Sequence, residues 1–308
     1  MNSEKMKISV GFALISMIWG STWLVIKIGL ESVPPLFAVA IRFTLATVIL
    51  CIILKLKGER MPMHRNAVIL YFTLAFMSYG FPFALVYWGE QFIPSGLASI
   101  LFAVYPFVVA IGSHIALPDE KLNLLKVVGI LFGFAGVIII FWADIRWGEA
   151  STLAMLGILA STIMQGASLI AVKRMSKDIT PTALSLGGMV IGIVVLYCLA
   201  LVFEDYHAIR FDLRGAGSIL YLGTFGTVVT FLTYYWLLKR IEAVYLSLVT
   251  LVTPVLAVFL GAIVLGEKLQ PNVFSGASVI FIGILITNGR DVAAAVQRHK
   301  ARVMNYMS

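Results

Sequence analysis

The stretch GSTWLVIK at residues 20–27 returns 146 residues later as GASLIAVK at residues 166–173. Further matches keep the same order at offsets of 146 to 148 residues, so the chain contains an internal repeat. The matched positions are Pro35 with Pro181, Tyr87-Trp88 with Tyr235-Trp236, Pro106 with Pro254, Glu120-Lys121-Leu122 with Glu267-Lys268-Leu269, Gly129 with Gly276, and Gly136 with Gly283.

The composition places both halves of the repeat in a membrane. Of 308 residues, 60% are hydrophobic and 12% are charged, and the mean hydropathy is +0.99. A soluble domain carries about 25% charged residues, so a soluble globule is excluded, and disorder would need low hydrophobicity. Apolar runs that are continuous, without strand-like alternation, predict helices rather than an outer-membrane barrel. Ten spans are predicted near residues 10–30, 34–54, 67–88, 93–117, 124–143, 153–173, 182–203, 215–238, 243–265 and 272–289.

Five spans in each half give the two halves opposite directions across the membrane, because five is odd. The sequence therefore predicts an all-α integral membrane protein of ten transmembrane helices with a 5+5 inverted-topology repeat. The first repeat is assigned to residues 1–146, and the second to residues 147–308 with a short cytoplasmic C-terminal tail. Inverted repeats are a recurrent device of secondary transporters, whose substrate site lies near the midplane between the repeats.

The distribution of Lys and Arg gives the orientation. With the N-terminus inside, 17 of the 23 basic residues fall in cytoplasmic segments, four outside and two within spans. Both termini are therefore expected in the cytoplasm, and the net charge of +8 reflects topology and contact with the lipid bilayer, not nucleic acid. The first apolar run lacks a signal-peptide cleavage pattern and is expected to remain as a helix. Cys51 and Cys198 fall within spans, so a disulfide framework is not expected.

Four stretches resemble the drug/metabolite transporter superfamily, specifically the EamA-like ten-helix permeases. They are WGSTWLVIKIGL at 19–30, YWGEQFIPSGLASILFAVYPFVVAI at 87–111, LPDEKLNLLKVVGILFGFAGVIII at 117–140 and TPVLAVFLGAIVLGEKL at 253–269. The resemblance covers nearly the whole chain and implies a multi-pass permease of the cell (inner or plasma) membrane. It points to exporters of amino acids and related metabolites. Relatives carry sugars, nucleotide sugars or phosphorylated trioses, so the small-molecule substrate stays open.

Polar residues at mid-depth are the candidates for substrate binding, because a polar group in hydrocarbon is costly unless it faces a cavity or a partner. They lie on spans 1, 3, 4, 6, 8 and 9, which in the family surround a central cavity. The alternatives are that the aromatic rings only fill the bundle and that the hydroxyls only bond their own helix. The candidates are Trp19, Ser21, Thr22, Tyr79, Tyr105, Gln165, Ser168, Tyr234, Tyr235, Thr250 and Thr253.

Arg42 is a further candidate, seven residues beyond Pro35 and thus about 10 Å inside the outer boundary at 1.5 Å per residue. Its guanidinium would receive a substrate carboxylate through two hydrogen bonds, or would anchor its helix to backbone carbonyls or a lipid headgroup. Lys27 and Lys173 occupy equivalent positions and are interpreted as snorkelling anchors, with Lys27 also a candidate for an outer gate.

The prolines Pro82, Pro106 and Pro254 each remove a backbone hydrogen bond, and they serve either as hinges for alternating access or as static bends. Glu90 is a candidate for ion coupling, with a solvated position as the alternative, and Glu120 and Glu267 are either coupling residues or helix-end contacts. The glycines of spans 5 and 10 offer close packing, either in a homodimer or between neighbouring helices.

The sequence contains no GxxxxGK[ST] loop, so primary active transport by this chain alone is not expected. No enzyme activity, cofactor or metal site is predicted, since HExxH and CxxC are absent and the four histidines are scattered. Three functions stay open: export of a small metabolite, lipid-linked sugar flipping or nutrient or drug import on the same fold, and a membrane receptor or scaffold.

Overall fold

The computed structural model describes residues 3–93, 98, 101–141, 149–210, 212–265 and 271–287, and all regular structure among these residues is helical. The predicted repeat boundary at residues 146 and 147 lies outside the described residues, as do Glu267 and the C-terminal tail. In chain order the helices are α1 Ser3–Gly29, α2 Pro35–Leu56, α3 Arg65–Gly89, α4 Tyr105–Ala116, α5 Leu124–Phe141, α6 Glu149–Met175, α7 Pro181–Phe203, α8 Leu213–Leu238, α9 in two pieces (Ala243–Ser247 and Val249–Leu265), and α10 Pro271–Thr287.

Six of these helices, α1, α2, α3, α6, α7 and α8, are long and apolar enough to cross a membrane. The described parts of α4, α5, α9 and α10 are apolar but shorter. An all-helical membrane protein is therefore confirmed, and the 5+5 division into ten spans stays a prediction. Leu56, Ile115 and Phe203 are among many large apolar side chains that stay exposed on the protein surface, as expected of helices that face lipid.

The helices α2 and α7, which occupy equivalent repeat positions, pack side by side in opposite directions. Glu204, just after α7, accepts from the backbone N–H groups of Leu36 at 2.8 Å and Phe37 at 3.0 Å in the first turn of α2. At the other end, Thr180 at the start of α7 donates to the carboxylate of Glu59, just after α2. Glu204 thus satisfies N–H groups at the start of α2, where the helix dipole also favours negative charge, and Glu59 reaches the start of α7 through the side chain of Thr180.

Both α3 and α8 contain a π-helical segment in mid-course, at Ala75–Gly80 and Thr224–Val229 respectively. The two segments have the same length of six residues, and their starts lie 149 positions apart, close to the repeat offset. A π-helical segment releases backbone carbonyls from the regular i→i−4 pattern and occurs frequently at functional sites. The sequence interpretation assigned such released carbonyls to the prolines alone.

The glycines of α5 and α10 pack against each other within this chain. A Cβ built on Gly129 would lie 2.5 Å from the carbonyl oxygen of Gly283, and one on Gly136 would lie 2.6 Å from that of Gly276. Only glycine permits backbones to approach so closely. Of the two uses predicted for these glycines, the structure shows the contact between neighbouring helices.

Candidate functional site

A cavity of about 100 Å³ lies among the helices, and both halves of the chain contribute to its wall. A water molecule needs roughly 10–15 Å³ on this measure, so the cavity has room for several waters. Its wall combines aromatic rings, aliphatic side chains, hydroxyls, one amide and one guanidinium. The lining residues are Trp19, Thr22, Trp23, Ile26, Arg42, Leu74, Ser78, Phe83, Val86, Phe102, Tyr105, Gln165, Ser168, Leu169, Val172, Phe231, Tyr234, Tyr235, Thr250 and Thr253.

Most residues predicted from the sequence to bind substrate meet at this cavity. Two do not line it: Ser21 hydrogen-bonds with Tyr221 at 2.7 Å, and Tyr79 is fully buried behind the wall. The predicted residues that line the cavity are Trp19, Thr22, Arg42, Tyr105, Gln165, Ser168, Tyr234, Tyr235, Thr250 and Thr253. Their role in binding stays a prediction.

The sequence interpretation missed the apolar part of the wall. Phe83, Phe102 and Phe231 carry no signal that separates them from other apolar residues of their spans. Ser78 is different, because it is a hydroxyl residue next to Tyr79 at mid-span. Its Oγ donates to Oγ of Ser168 at 2.8 Å, so a search for polar pairs across the repeat would have found it.

Two tyrosine pairs join the halves beside the cavity. The hydroxyl oxygens of Tyr105 and Tyr234 are 3.1 Å apart, and those of Tyr79 and Tyr235 are 3.0 Å apart. In each pair one hydroxyl donates to the other, so one O–H per pair stays available for a further acceptor. The ring of Trp19 lies against Tyr234, with centroids 5.1 Å apart.

The threonines of the wall present acceptors to the cavity. Thr22 donates to the carbonyl of Trp19 at 2.7 Å, and Thr250 and Thr253 donate to carbonyls three residues earlier in their own helix. A hydroxyl has one donor and two acceptor lone pairs. Because the donor of each threonine is used within its helix, these three side chains can accept hydrogen bonds from a solute but not donate to it.

Arg42 anchors α2 to α8, and its guanidinium lies in the cavity wall. Its Nε donates to Thr227 at 2.8 Å, its Nη1 to the Tyr87 hydroxyl at 2.9 Å, and its Nη2 to the Gly226 carbonyl at 3.0 Å. Gly226 and Thr227 belong to the π-helical segment of α8. Arginine has five N–H donors, and the three contacts account for one on each nitrogen. The three observed contacts of Arg42 therefore fit the interpretation that it anchors its helix. Two N–H groups of the guanidinium have no contact among these three and remain for a substrate carboxylate.

A carboxylate–lysine pair lies at the last turn of α6. The Nζ of Lys173 is 3.2 Å from Oε1 of Glu120 and donates to the carbonyl of Leu238 at 2.6 Å. The other carboxylate oxygen of Glu120 accepts from the backbone N–H of Ala243 at 2.7 Å. Glu120 therefore makes the helix-end and loop contacts that formed one of its two interpretations. The third coupling candidate, Glu267, lies outside the described residues.

Glu90 immediately follows α3 and is fully buried, so the solvated position considered for it is wrong. Lys27, in the last turn of α1, donates from its Nζ to the backbone carbonyl of Glu90 at 3.3 Å. Burial raises the pKa of the Glu90 carboxyl to about 8, although the positive charges of Lys27 and Arg42 act in the opposite direction.

The three prolines occupy different helical positions. Pro82 is in the first turn of the α-helical part of α3 that follows the π-helical segment. Pro106 is in the first turn of α4, directly after a turn at residues 103–104, so the span breaks before this proline. Pro254 lies inside α9. Whether these positions act as hinges stays a prediction.

The comparison with protein families gives one result along most of the chain. The model described as "EamA-like transporter family" matches residues 7–142 and again residues 152–289. The two matches fall in the two halves that share the internal repeat.

Curated relatives match over most of their own length. "Uncharacterized transporter YoaV" of Bacillus subtilis is 28% identical over 91% of this chain and 96% of that protein. "Protein PagO" of Salmonella typhimurium is 27% identical over 92% and 93%. "Uncharacterized inner membrane transporter YedA" of Escherichia coli K12 is 29% identical over 91% and 90%.

One crystal structure shares the fold with a TM-score of 0.78. It covers 92% of this chain and 97% of its own, at 16% sequence identity. At 16% sequence identity the structural similarity supports a shared fold and carries no information on function.

Proposed function

Because the chain belongs to the EamA-like transporter family, we propose that it is a secondary transporter that exports amino acids or related small metabolites through the central cavity. The observation that carries this proposal is the cavity itself, whose wall is shared by α1, α2, α3 and α4 from one half and α6, α8 and α9 from the other. A site between two halves can open to either side when the halves rock against each other.

The lining chemistry fits a solute with both an ammonium and a carboxylate group. The threonine hydroxyls accept hydrogen bonds, and the rings of Trp19 and Tyr234 attract a cation through their faces. Arg42 is the one charged residue among those that line the cavity, and its remaining N–H groups suit a carboxylate. An α-amino acid carries both groups within a few ångströms.

The proposed mechanism is alternating access between two inverted halves in the cell membrane, with both termini in the cytoplasm. The antiparallel packing of α2 against α7 and the matched π-helical segments of α3 and α8 support opposite orientations of the halves. In this arrangement the pair Lys173–Glu120 lies at the cytoplasmic end of the bundle, and the contact of Lys27 with Glu90 lies at the outer end.

The experiment is counterflow in proteoliposomes that are loaded in turn with amino acids, sugars and nucleosides. Saturable counterflow of amino acids supports the proposal, and Gln165→Ala should weaken it because this amide lines the cavity and donates only within its own helix, to Ser161 at 3.1 Å. Losing one hydrogen bond to a charged group would raise KM about tenfold. Thr44→Ala, a hydrogen-bonding residue of α2 away from the cavity, is the control.

Two results would redirect the proposal. Flux of sugars or nucleosides without amino acids would indicate a nutrient or drug carrier of the same fold. No flux from the whole panel would favour lipid-linked sugar flipping or a receptor, and binding of a long-chain lipid by the purified protein would separate those two.

A further inference from the structure

The carboxyl group of Glu90 has no hydrogen-bond partner among the described residues. Its exposed fraction is 0%, and both carboxylate oxygens are buried and unpaired. Other acids of the same chain differ: Glu120 accepts from Ala243 and faces Lys173, and Glu204 accepts from two backbone N–H groups. Fully buried carboxylates without partners are rare, because the charged form loses hydration and gains nothing in return.

Three side chains supply the polar surroundings of Glu90. Lys27 on α1 and Arg42 on α2 act on the carboxyl group as positive charges, and neither forms a hydrogen bond with its oxygens. Tyr87, on the last turn of α3, accepts from Arg42 and is itself fully buried. The helix α6 meets this region with the apolar side chain of Ile158 and the backbone of Ala154, both against Gly89.

Glu90 lies next to the cavity. Its N–H donates to the carbonyl of Val86 at 3.0 Å, and the side chain of Val86 lines the cavity one helical turn, about 5.4 Å, earlier. Arg42 also lines the cavity and is one of the two charges that act on Glu90. Because both Glu90 and Arg42 are buried, a change in charge inside the cavity acts on Glu90 where electrostatic interactions are stronger than in water.

We propose that the Glu90 carboxyl is a proton-binding site that couples movement of solute through the cavity to the proton gradient, with Lys27 and Arg42 as the charges that set its proton affinity. The proposal rests on the proposed transport function. The coupling ion is a proton in this proposal because a buried carboxyl group without hydrogen-bond partners is stabilised by binding a proton, which removes its charge.

The coupling follows from charge balance. In the buried, unpaired environment the carboxyl group holds a proton as the neutral acid. A solute with a net positive charge adds that charge to the cavity and favours release of the proton to water, which leaves the carboxylate to balance Lys27 and Arg42. Proton and cationic group thus exclude each other, and this exclusion is the condition for exchange of one against the other.

The first experiment observes the proton directly and needs no substrate. Infrared difference spectra of the purified full chain, taken between about pH 6 and about pH 10, should show loss of a protonated carboxyl band on the alkaline side. Glu90→Gln should lack this band. Glu31→Gln should keep it, because Glu31 is an exposed acid that pairs with Arg214 beyond the end of α1. Identical spectra from the wild type and Glu90→Gln would overturn the proposal.

A second variant provides an independent test of the proposal if Glu90→Gln folds poorly. Lys27→Met removes one positive charge that favours the carboxylate, so the carboxyl band should persist to higher pH. A band that titrates at the same pH in Lys27→Met and the wild type contradicts the assigned role of Lys27 and with it the proposal.

The last experiment separates this inference from the proposed function. In proteoliposomes loaded with an amino acid mixture, a pH gradient, acid outside, should speed efflux from wild-type vesicles severalfold. Glu90→Gln should keep counterflow at equal pH and lose that acceleration. Acceleration that persists in Glu90→Gln overturns the coupling site. Failure of wild-type counterflow overturns amino acid export, and the infrared titration then tests proton binding at Glu90 independently.

Discussion

The ring of Tyr79 occupies the space above Gly188, where a Cβ would lie 2.8 Å from Cε2 of the tyrosine. Gly188 is the repeat counterpart of Arg42, and Thr227, which contacts Arg42, is the counterpart of Tyr79 at an offset of 148. The contact of α2 with α8 thus pairs a large cation with a small hydroxyl residue, and the equivalent contact of α7 with α3 pairs glycine with a large ring. The exchange of sizes explains why Arg42 has no second copy.

Gly188→Ala should destabilise the protein by about 1–3 kcal/mol, because the new methyl group also meets Cβ of Leu74 at 2.6 Å and neither neighbour can move freely. Thermal unfolding in detergent measures the effect. Gly217→Ala in α8 is the matched control, since nothing lies within 4 Å of a Cβ there and alanine favours a helix by up to about 1 kcal/mol. Equal unfolding temperatures for the two variants would contradict the close contact at Gly188.

Lys173→Met should destabilise the protein by about 1.5–3 kcal/mol, the range for a hydrogen bond to a charged group. The variant leaves the buried Glu120 carboxylate without its cation and the carbonyl of Leu238 without its donor. The double variant with Glu120→Gln should recover part of the loss, because no unpaired charge remains. Lys177→Met, at an exposed neighbouring lysine, should change little; a similar loss there would indicate a general effect of charge.

Tyr105→Phe and Tyr79→Phe each remove one hydroxyl pair, at Tyr234 and Tyr235 respectively. Both should lower stability by about 0.5–1.5 kcal/mol. Only Tyr105 lines the cavity, so only Tyr105→Phe should raise the KM of amino acid counterflow, by about threefold to tenfold. A KM that rises equally in both variants would show that packing, and not contact with the solute, controls it.

The N-cap of α8 predicts loss of stability in acid. Asp212 accepts from the N–H of Gly215 at 2.7 Å and from Ser32 at 2.8 Å, and these bonds hold the pKa of its carboxyl below the usual value. A lowered folded-state pKa contributes stability above the unfolded value of about 3.9, and this contribution is lost as the pH falls below it. Unfolding temperature against pH should fall less steeply in Asp212→Asn. Asp205→Asn, in the preceding turn, should follow the wild type.

The fold could be predicted from the sequence to the extent that hydropathy and the repeat specify it. The ends of α2 and α7 lie within a few residues of the predicted spans because Pro35 and Pro181 start both helices. The π-helical segments were not predicted, because a change of backbone hydrogen bonding over six residues does not alter the hydropathy pattern of an apolar span. The contacts of Glu59 with Thr180 and of Glu204 with Leu36 were not predicted either, because each joins residues more than 100 positions apart.

The cavity could be predicted in its polar part and not in its apolar part. Thr250 and Gln165 stand out from apolar surroundings, whereas Phe231 does not, and so only the former were predicted. Tyr79 was assigned to the wall because it is polar at mid-span. Its hydroxyl instead hydrogen-bonds with that of Tyr235, which lines the cavity in its place. Glu90 follows the last residue of α3, where sequence alone cannot tell a buried carboxyl from a solvated one.

The twin π-helical segments also record ancestry. A π-helical segment arises when one residue is inserted into a helix, and two independent insertions would have no reason to fall at matching places in Ala75–Gly80 and Thr224–Val229. We infer that the insertion was already present in a half-length ancestor before its gene was duplicated and fused. The two segments, AFMSYG and TFGTVV, differ in most of their side chains, so the irregular backbone does not depend on one particular set of residues.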